Sequence, residues 1–280
     1  MTAAKKTAYA SCFLVAALAL AFAESFIPTV LPGVKPGIAN SVTLLCLYFL
    51  GYPTALTVGI ARVLISALLF GSLPSAAYGF FGSLLSVTVM LFAKKLSFGA
   101  VAVSAFGGVF HNIGQIAVAC VLTKSPAALS FLPVLVISGA LFGALTGLIS
   151  AVISRRLKNL FGKEQLSAFS KRDVAALAVP LIAGAFFLFP KEKGELVTVT
   201  VDGQLYGSYP LSKDTRITVE SKHGTNVIVI QGGKVRMESS SCAGGDCLFG
   251  SIDENGGSIV CLPNRVTVKT ENQTIDGISG

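Results

Sequence analysis

The chain carries two patterns of hydrophobic residues, and one gives way to the other near Pro190. Before this point, long apolar stretches are separated by short polar segments, as in helices that cross a lipid bilayer. After it, apolar and polar residues alternate one by one, which is typical of half-buried β-strands. The patterns therefore predict a helical membrane region followed by a small β domain.

Seven stretches of the first region are apolar enough to be membrane spans, although the second is too short for a straight crossing. We expect a six-helix bundle and a seventh helix that links it to the β domain. Small residues at 138–140, 143 and 147 predict close helix packing. The predicted spans are 8–27, 38–50, 53–70, 75–93, 104–123, 130–153 and 174–189.

Composition and charge add an orientation to this picture. The chain is 52% hydrophobic and 13% charged, with a mean hydropathy of +0.73, which excludes a wholly soluble protein. Its net charge of +8 divides into +10 over residues 1–190 and −2 over residues 191–280. If all seven stretches cross, most basic residues share one side, so the positive-inside rule places the N-terminus in the cytoplasm and the β domain outside. The acidic balance of that domain argues against binding of nucleic acid.

The first stretch has a second interpretation as a secretory signal peptide, because Lys5 and Lys6 precede an apolar run. The run is long, and residues 24–26 make a poor cleavage site. Removal would also leave six spans and reverse the side of the β domain. We expect the segment to be retained.

Polar residues within the apolar stretches are candidates for a binding site, because a charge at mid-bilayer costs about 3 kcal/mol and needs a partner or water. Arg62 lies halfway along the third stretch, and Glu24 lies near the outer end of the first. Their depths suggest a polar cavity that opens outward. The alternative is that they hold helices together. The candidate substrate-binding residues of the spans are Glu24, Asn40, Arg62, His111, Asn112 and Gln115.

The segment 28–37 joins the first two stretches, and its three prolines and two glycines exclude a regular helix. Irregular backbone at membrane depth occurs where it is buried in protein or lines water. The N-terminus of the second stretch would direct its positive dipole end outward beside Lys35, which predicts a site for an anionic group. An ordinary loop is the alternative.

The region after Pro190 predicts a small antiparallel β domain. Asp202-Gly203 and Gly232-Gly233 have the spacing and composition of two-residue hairpin turns. We predict domain boundaries at 1–153, 154–190 and 191–280, the middle part being a basic cytoplasmic loop and the seventh helix. The predicted strands are 196–201, 204–209, 216–220, 226–230, 234–237, 258–261 and 266–269.

Three of the six cysteines lie in the β domain, as Cys242, Cys247 and Cys261. In an oxidising compartment a disulfide between the first two is the ordinary explanation, and it leaves the third unpaired. A redox-active thiol pair, or ligation of a metal ion or iron–sulfur cluster, are the alternatives. No spacing rule connects the single histidine of the domain, His223, to these cysteines. The predicted packing residues of the spans are Cys12, Cys46 and Cys120.

Two resemblances cover nearly the whole chain. The motifs at 31–45, 61–64 and 110–115 resemble the membrane family called Gx transporter or heptaprenyl diphosphate synthase component I. That family is similar to the substrate-binding S components of energy-coupling-factor transporters. Residues 195–270, with their paired cysteines and the motif CLPNR at 261–265, resemble a NusG domain II module. In some bacteria these modules are neighbouring proteins associated with flavin-based extracellular electron transfer, and this chain resembles their fusion.

The family names suggest two activities that the residues do not support. Prenyl synthases bind magnesium diphosphate through aspartate-rich motifs, whereas residues 1–190 contain one aspartate, Asp173. We therefore do not expect the chain to be a synthase by itself. The NusG label suggests transcription, which does not fit a domain outside the membrane.

The resemblance implies an electron-transfer component. Electrons would pass from a membrane quinol, through a redox disulfide or a metal or iron–sulfur centre at the outer cysteines, to an extracytoplasmic flavin-carrying protein. Arg62, His111 and Gln115 would contact the quinone or handle its protons.

The main alternative is a substrate-binding transporter subunit for a small anionic or isoprenoid compound. Partner subunits would supply the energy, because the chain has no G-x4-G-K-[ST] phosphate loop. A third possibility is that the helices serve only as an anchor and a docking surface for partners.

Overall fold

The computed structural model describes residues 1–27, 36–70, 73–124, 126–162, 166–186, 194–242 and 245–271. The chain separates into two compact units, one mainly helical and one that holds the strands. Each unit has its own hydrophobic core.

Seven α-helices are present among the described residues, and five of them are long and apolar enough to cross a membrane. This confirms the predicted multi-span membrane domain. The second and seventh helices have only 11 and 14 residues. That these two helices cross the membrane stays a prediction. The orientation of the termini depends on it and also stays a prediction. The helices are α1 (Ala3–Ser25), α2 (Ala39–Phe49), α3 (Tyr52–Phe70), α4 (Leu73–Lys95), α5 (Ala100–Thr123), α6 (Leu132–Phe161) and α7 (Asp173–Phe186), with a 3-10 helix (Pro126–Phe131) before α6.

The short helix α2 lies in the core of the helical unit. Nine of its 11 residues are buried. A buried helix leaves N–H groups at its start and carbonyl groups at its end without partners inside the helix. Glu24 of α1 accepts a hydrogen bond from the N–H of Ile38, and Lys94 Nζ of α4 donates to the carbonyl oxygen of Leu47 at 3.1 Å. Charged side chains from neighbouring helices thus satisfy both ends of α2.

Helices α5 and α6 approach each other through glycines. A Cβ atom at Gly108 would lie 2.3 Å from the carbonyl oxygen of Gly139. A Cβ atom at Gly143 or Gly147 would lie within 2.7 Å of an α5 carbonyl oxygen. The close packing predicted from the small residues of the sixth stretch is therefore confirmed.

Substitution of Gly108 by alanine should destabilise the helical unit, because the contact is with a backbone oxygen that cannot rotate away. We expect a loss of about 1–3 kcal/mol, the usual cost of overpacking, as a lower midpoint of thermal unfolding in detergent. Leu141→Ala is the matched control, since Leu141 on α6 is exposed. Equal midpoints for Gly108→Ala and wild type would contradict this account of the α5–α6 contact.

The N–H groups at the start of α5 donate hydrogen bonds to residues that come much later in the chain. The buried carboxylate of Asp173 accepts a hydrogen bond from the N–H of Gly99 at 3.0 Å, and its other oxygen accepts one from an N–H three residues before it. The N–H groups of Ala100 and Val101 donate to carbonyl oxygens of the segment 166–172. The one aspartate of residues 1–190 therefore has a structural task between α4 and α5.

The strands form two four-stranded antiparallel sheets, in the orders β2-β1-β8-β7 and β3-β4-β5-β6. Alternate residues of β1 point into the core, among them Val197 and Val199. This confirms the predicted antiparallel β domain. One strand was not predicted, β6, whose two residues are too few to show alternation. The strands are β1 (Leu196–Val201), β2 (Gln204–Pro210), β3 (Thr215–Ser221), β4 (Gly224–Gln231), β5 (Lys234–Ser240), β6 (Ser251–Ile252), β7 (Gly257–Cys261) and β8 (Val266–Glu271).

Both predicted two-residue turns are present. Asp202 and Gly203 have φ angles of 51° and 80° between β1 and β2, and Gly232 and Gly233 have 58° and 72° between β4 and β5. Positive φ at both central residues is the geometry that matches the twist of a hairpin. These turns fix the register of the two hairpins.

Candidate functional site

The three cysteines of the β domain come together where the two sheets meet. Cys242 follows β5, Cys247 lies in the 3-10 helix Asp246–Leu248, and Cys261 is the last residue of β7. Their Sγ atoms all lie within 4.8 Å of one another, and those of Cys242 and Cys247 are 3.6 Å apart. All three are free thiols. We call this cluster the thiol centre.

The thiol centre runs from the surface into the core of the β domain. Cys242 is half-buried, whereas Cys247 and Cys261 are buried with 4% and 0% of their surface exposed. Among the described residues, no histidine, aspartate or glutamate joins the three sulfur atoms. His223 instead lies with its Nε2 3.3 Å from Asp202.

A chain of buried polar groups ends at Cys261. Asn264 Nδ2 donates to Asn226 Oδ1 at 2.8 Å, and Asn226 Nδ2 donates to Ser240 Oγ at 2.9 Å. Ser240 Oγ also accepts the N–H of Cys242 at 3.2 Å. Because this oxygen already accepts two hydrogen bonds, its own hydrogen is directed toward Cys261 Sγ, 3.5 Å away.

This arrangement separates the acidities of the two buried thiols. The hydrogen bond from Cys247 lowers the pKa of Cys261, and the groups of Ser240, Asn226 and Asn264 lower it further against the opposing effect of burial. Donation of that hydrogen bond, together with burial, raises the pKa of Cys247. Of the two buried thiols, Cys261 is therefore the one that loses its proton more readily.

Two kinds of chemistry fit three adjacent sulfur atoms. A dithiol needs only a small movement to reach the S–S bond length of about 2.05 Å. A soft metal ion would bind the cysteines as thiolates, and its own positive charge would offset theirs. Thiol–disulfide chemistry needs only the three sulfur atoms that the structure brings together. The assignment of the cysteines to a redox or a metal site stays a prediction.

A second polar cluster surrounds Asp202 in the turn between β1 and β2. Its carboxylate contacts Arg265 Nη1 at 2.9 Å, His223 Nε2 at 3.3 Å and Lys222 Nζ at 3.4 Å. The hydrogen bond from Arg265 is the main reason why the pKa of Asp202 is lowered to about 2. Since Arg265 follows Asn264, this ion pair holds the loop that carries one member of the polar chain described above.

Asp202→Asn should lower the stability of the β domain at neutral pH. A carboxyl with a depressed folded-state pKa contributes stability above its unfolded value of about 3.9, and that contribution is lost as the pH falls toward about 2. We expect a loss of about 1 kcal/mol, since solvent screens this cluster. Hydrogen-exchange protection of the backbone amides in β1 and β2 would measure this loss of stability. Asp214→Asn is the control, because an amide oxygen can still accept the N–H of Gly232. Equal protection in both variants would contradict the prediction.

In the helical unit, the structure brings Arg62 and Asn40 together. Arg62 Nη2 donates to Asn40 Oδ1 at 2.9 Å, which connects α3 to the start of α2. Within the described residues, the buried Nε of Arg62 has no hydrogen-bond partner. Glu24 lies at the same end of α2, where it accepts the N–H of Ile38. The place predicted for an anionic ligand is thus partly taken by the protein's own carboxylate.

The polar residues of α5 make contacts of their own. His111 Nε2 lies 3.1 Å from Gln115 Nε2, one turn along the helix. Asn112 Nδ2 donates to the carbonyl oxygen of Leu135 on α6 at 2.6 Å, so it connects two helices. His111 also packs against Gly82 of α4, where a Cβ would lie 3.0 Å from its ring. Lys35, the remaining predicted binding residue, lies outside the described residues.

Two buried hydroxyl groups near Arg62 were not predicted from the sequence. Thr43 lies one turn after Asn40 on α2, and Ser66 lies one turn after Arg62 on α3. Their oxygen atoms have no hydrogen-bond partner within the part of the chain that the structure describes. The spacing of three or four residues from a predicted polar residue was the signal that could have found them.

Of the three other cysteines, Cys46 is buried in the core of the helical unit, Cys120 is half-buried and Cys12 is exposed.

Two solved structures are similar to part of the chain. A DUF1312 family protein from Ruminococcus gnavus ATCC 29149 is 41% identical over 28% of this chain and 97% of its own, with a TM-score of 0.25. A DUF1312 family protein from Enterococcus faecalis V583 is 22% identical over the same shares, with a TM-score of 0.26. No curated protein matches the chain.

Two family models divide the chain between them. The model described as NusG domain II matches residues 174–274, which include the strands and all of α7 except its first residue. The model described as heptaprenyl diphosphate synthase component I matches residues 13–153, which hold α2 to α5 and most of α1 and α6. This match covers just over half of the 280 residues. The chain therefore belongs to the heptaprenyl diphosphate synthase component I family of membrane proteins and joins to it a C-terminal NusG domain II.

Proposed function

We propose that this protein carries electrons from a membrane quinol to an extracytoplasmic acceptor through the thiol centre. The observation that supports this most is the approach of three free thiols, two of them buried, to within 4.8 Å of one another. Binding of a substrate by the polar residues of the helical unit would not use this cluster. A flavin-carrying partner is the acceptor that the resemblance to flavin-linked electron-transfer modules suggests.

The proposed step is a two-electron exchange. A quinol gives up two electrons and two protons to become a quinone, and a disulfide between Cys242 and Cys247 takes them up to become two thiols. An oxidised flavin then takes two electrons and two protons from these thiols to become reduced flavin, and the disulfide re-forms. Hydrogen bonds that stabilise the reduced centre raise its reduction potential, which favours acceptance of electrons from a quinol.

The polar residues of the helical unit would serve the quinol in this proposal. Arg62 offers a buried N–H that could donate to a quinone oxygen. The pair of His111 and Gln115 offers a ring nitrogen that can take up or release a proton. These residues lie in a family domain of membrane proteins, where ionisable groups commonly mark a functional site.

Proteoliposomes that contain a short-chain menaquinol test the proposal. Under anaerobic conditions, flavin mononucleotide outside the vesicles should lose its oxidised absorbance faster than with empty vesicles. A variant with all three outer cysteines replaced by serine should match the empty vesicles. If this variant reduces flavin as fast as the wild type, the thiol centre carries no electrons and the proposal fails.

A substrate-binding role in transport is the second candidate, and Arg62 favours it. Arginine is well suited to phosphate, and this one retains a buried donor without a partner among the described residues. Geranyl diphosphate is a suitable probe, because it is both anionic and isoprenoid. If this function holds, the probe should raise the unfolding temperature of the wild type and of the triple serine variant, but not that of Arg62→Ala.

A further inference from the structure

Cys247 is the middle sulfur of the thiol centre. Its Sγ lies 3.6 Å from that of Cys242 and within 4.8 Å of that of Cys261. Two different disulfides can therefore form with Cys247 as the shared member. One would include the half-buried Cys242, and the other would lie entirely in the core.

We propose that the three cysteines act as a relay, in which a disulfide moves between the pairs Cys242–Cys247 and Cys247–Cys261 and so gives the domain thiol–disulfide exchange activity. The relay rests on the proposed function only in that the centre is redox-active. It adds a class of substrate, namely the disulfide or dithiol of another molecule, which would react at Cys242.

The relay step needs no external oxidant or reductant. The Cys261 thiolate attacks the Cys247 sulfur of the Cys242–Cys247 disulfide. A bond forms between Cys247 and Cys261, the older S–S bond breaks, and its electron pair leaves on Cys242 as a thiolate. One disulfide and one thiolate are present before and after the step, so atoms and electrons balance.

The surroundings of the sulfur atoms assign these roles. Cys261 has the Ser240 hydroxyl and the buried amide chain behind it, which stabilise its thiolate. Thiolates are the attacking species in exchange. Cys242 is the most exposed of the three, so the thiolate that it becomes is hydrated and can meet a substrate. The inner cysteine is thus the attacking group and the outer one the point of contact.

Trapping of free thiols tests the relay in the full-length protein in detergent, without quinol or flavin. The protein is oxidised with one equivalent of diamide, treated with N-ethylmaleimide for increasing times, quenched with acid and mapped by peptide mass spectrometry. In the wild type we expect the label to accumulate on Cys242 together with a Cys247–Cys261 disulfide. In Cys261→Ala the disulfide should stay at Cys242–Cys247, and Cys242 should stay unlabelled.

Ser240→Ala keeps all three thiols and tests the direction of the relay if Cys261→Ala does not fold. Loss of the hydroxyl should slow the labelling of Cys242 several-fold near pH 6, and the difference should disappear at high pH, where the thiolate forms without help. A label confined to Cys261 in the oxidised wild type would overturn the relay. So would protection of all three thiols by a metal ion that copurifies with the protein. Because quinol is absent, these results are separate from the quinol-dependent reduction of flavin.

Discussion

Replacement of Cys247 by serine is expected to reduce quinol-dependent flavin reduction by at least about 100-fold, or about 2.7 kcal/mol in activation free energy. Cys247 Sγ lies 3.6 Å from Cys242 Sγ and within 4.8 Å of Cys261 Sγ, so its loss removes both of the disulfides that it can form. The rate of flavin reduction by anaerobic proteoliposomes is the measurement. Cys242→Ser should be about as severe, because the disulfide proposed to take up the electrons includes Cys242.

Cys12→Ser is the matched control for these variants. Cys12 is exposed on α1, and its replacement should leave the rate unchanged. Hydrogen-exchange protection of β7 and β8 should be the same in Cys247→Ser and wild type, which separates loss of a thiol from loss of the fold. If Cys247→Ser keeps more than about half of the wild-type rate, a change worth less than about 0.4 kcal/mol, the thiol centre is not on the electron path.

Replacement of Arg62 by alanine is expected to have the second largest effect. Loss of the guanidinium removes both the contact with Asn40 and the buried N–H that lacks a partner in the described residues. A buried hydrogen bond to a charged group contributes about 1.5–3 kcal/mol, so the rate of flavin reduction should fall by about 10-fold to 100-fold. Proteoliposomes at several quinol concentrations would show whether the loss lies in binding or in turnover.

Asn40→Ala separates a binding role of Arg62 from a structural one. It removes the same side-chain contact between α2 and α3 but keeps the guanidinium in place. We expect it to lower the unfolding temperature about as much as Arg62→Ala while it retains most of the rate. If the two variants lose stability and rate in equal proportion, Arg62 serves only to hold the helices together.

Much of the fold follows from local patterns, because burial imposes a period on the sequence. Alternation in β1 predicts its bounds to the residue, since Val197 and Val199 must face the core while their neighbours face out. The two-residue turns follow from residues that tolerate positive φ, as at Asp202 and Gly203. The position of α2 in the core did not follow, because its end contacts come from Glu24 and Lys94 on other helices.

The thiol centre shows where sequence reasoning ends. The cysteines were predicted as a redox or metal group from residue type and spacing alone. The groups that set their acidity were not predicted, because Asn226 and Asn264 are 38 residues apart and meet only when the two sheets pack. Asn264 lies in the CLPNR motif and Asn226 in a predicted strand, but neither pattern indicates that the two side chains meet. Such partners become visible only in three dimensions.

The hydrogen bond from the N–H of Gly99, just before α5, to Asp173 has a consequence for the order in which the protein folds during its synthesis. A ribosome makes the chain from residue 1 onward, so the first turn of α5 leaves the tunnel long before the carbonyl groups and the carboxylate that satisfy its N–H groups. The transmembrane bundle is therefore completed only when the residue just before the NusG domain II match has been synthesised. Truncation of the chain between the two family matches would remove Asp173, so the N–H of Gly99 before α5 would lose its acceptor. The segment that joins the two family regions therefore contributes to the folding of the transmembrane bundle.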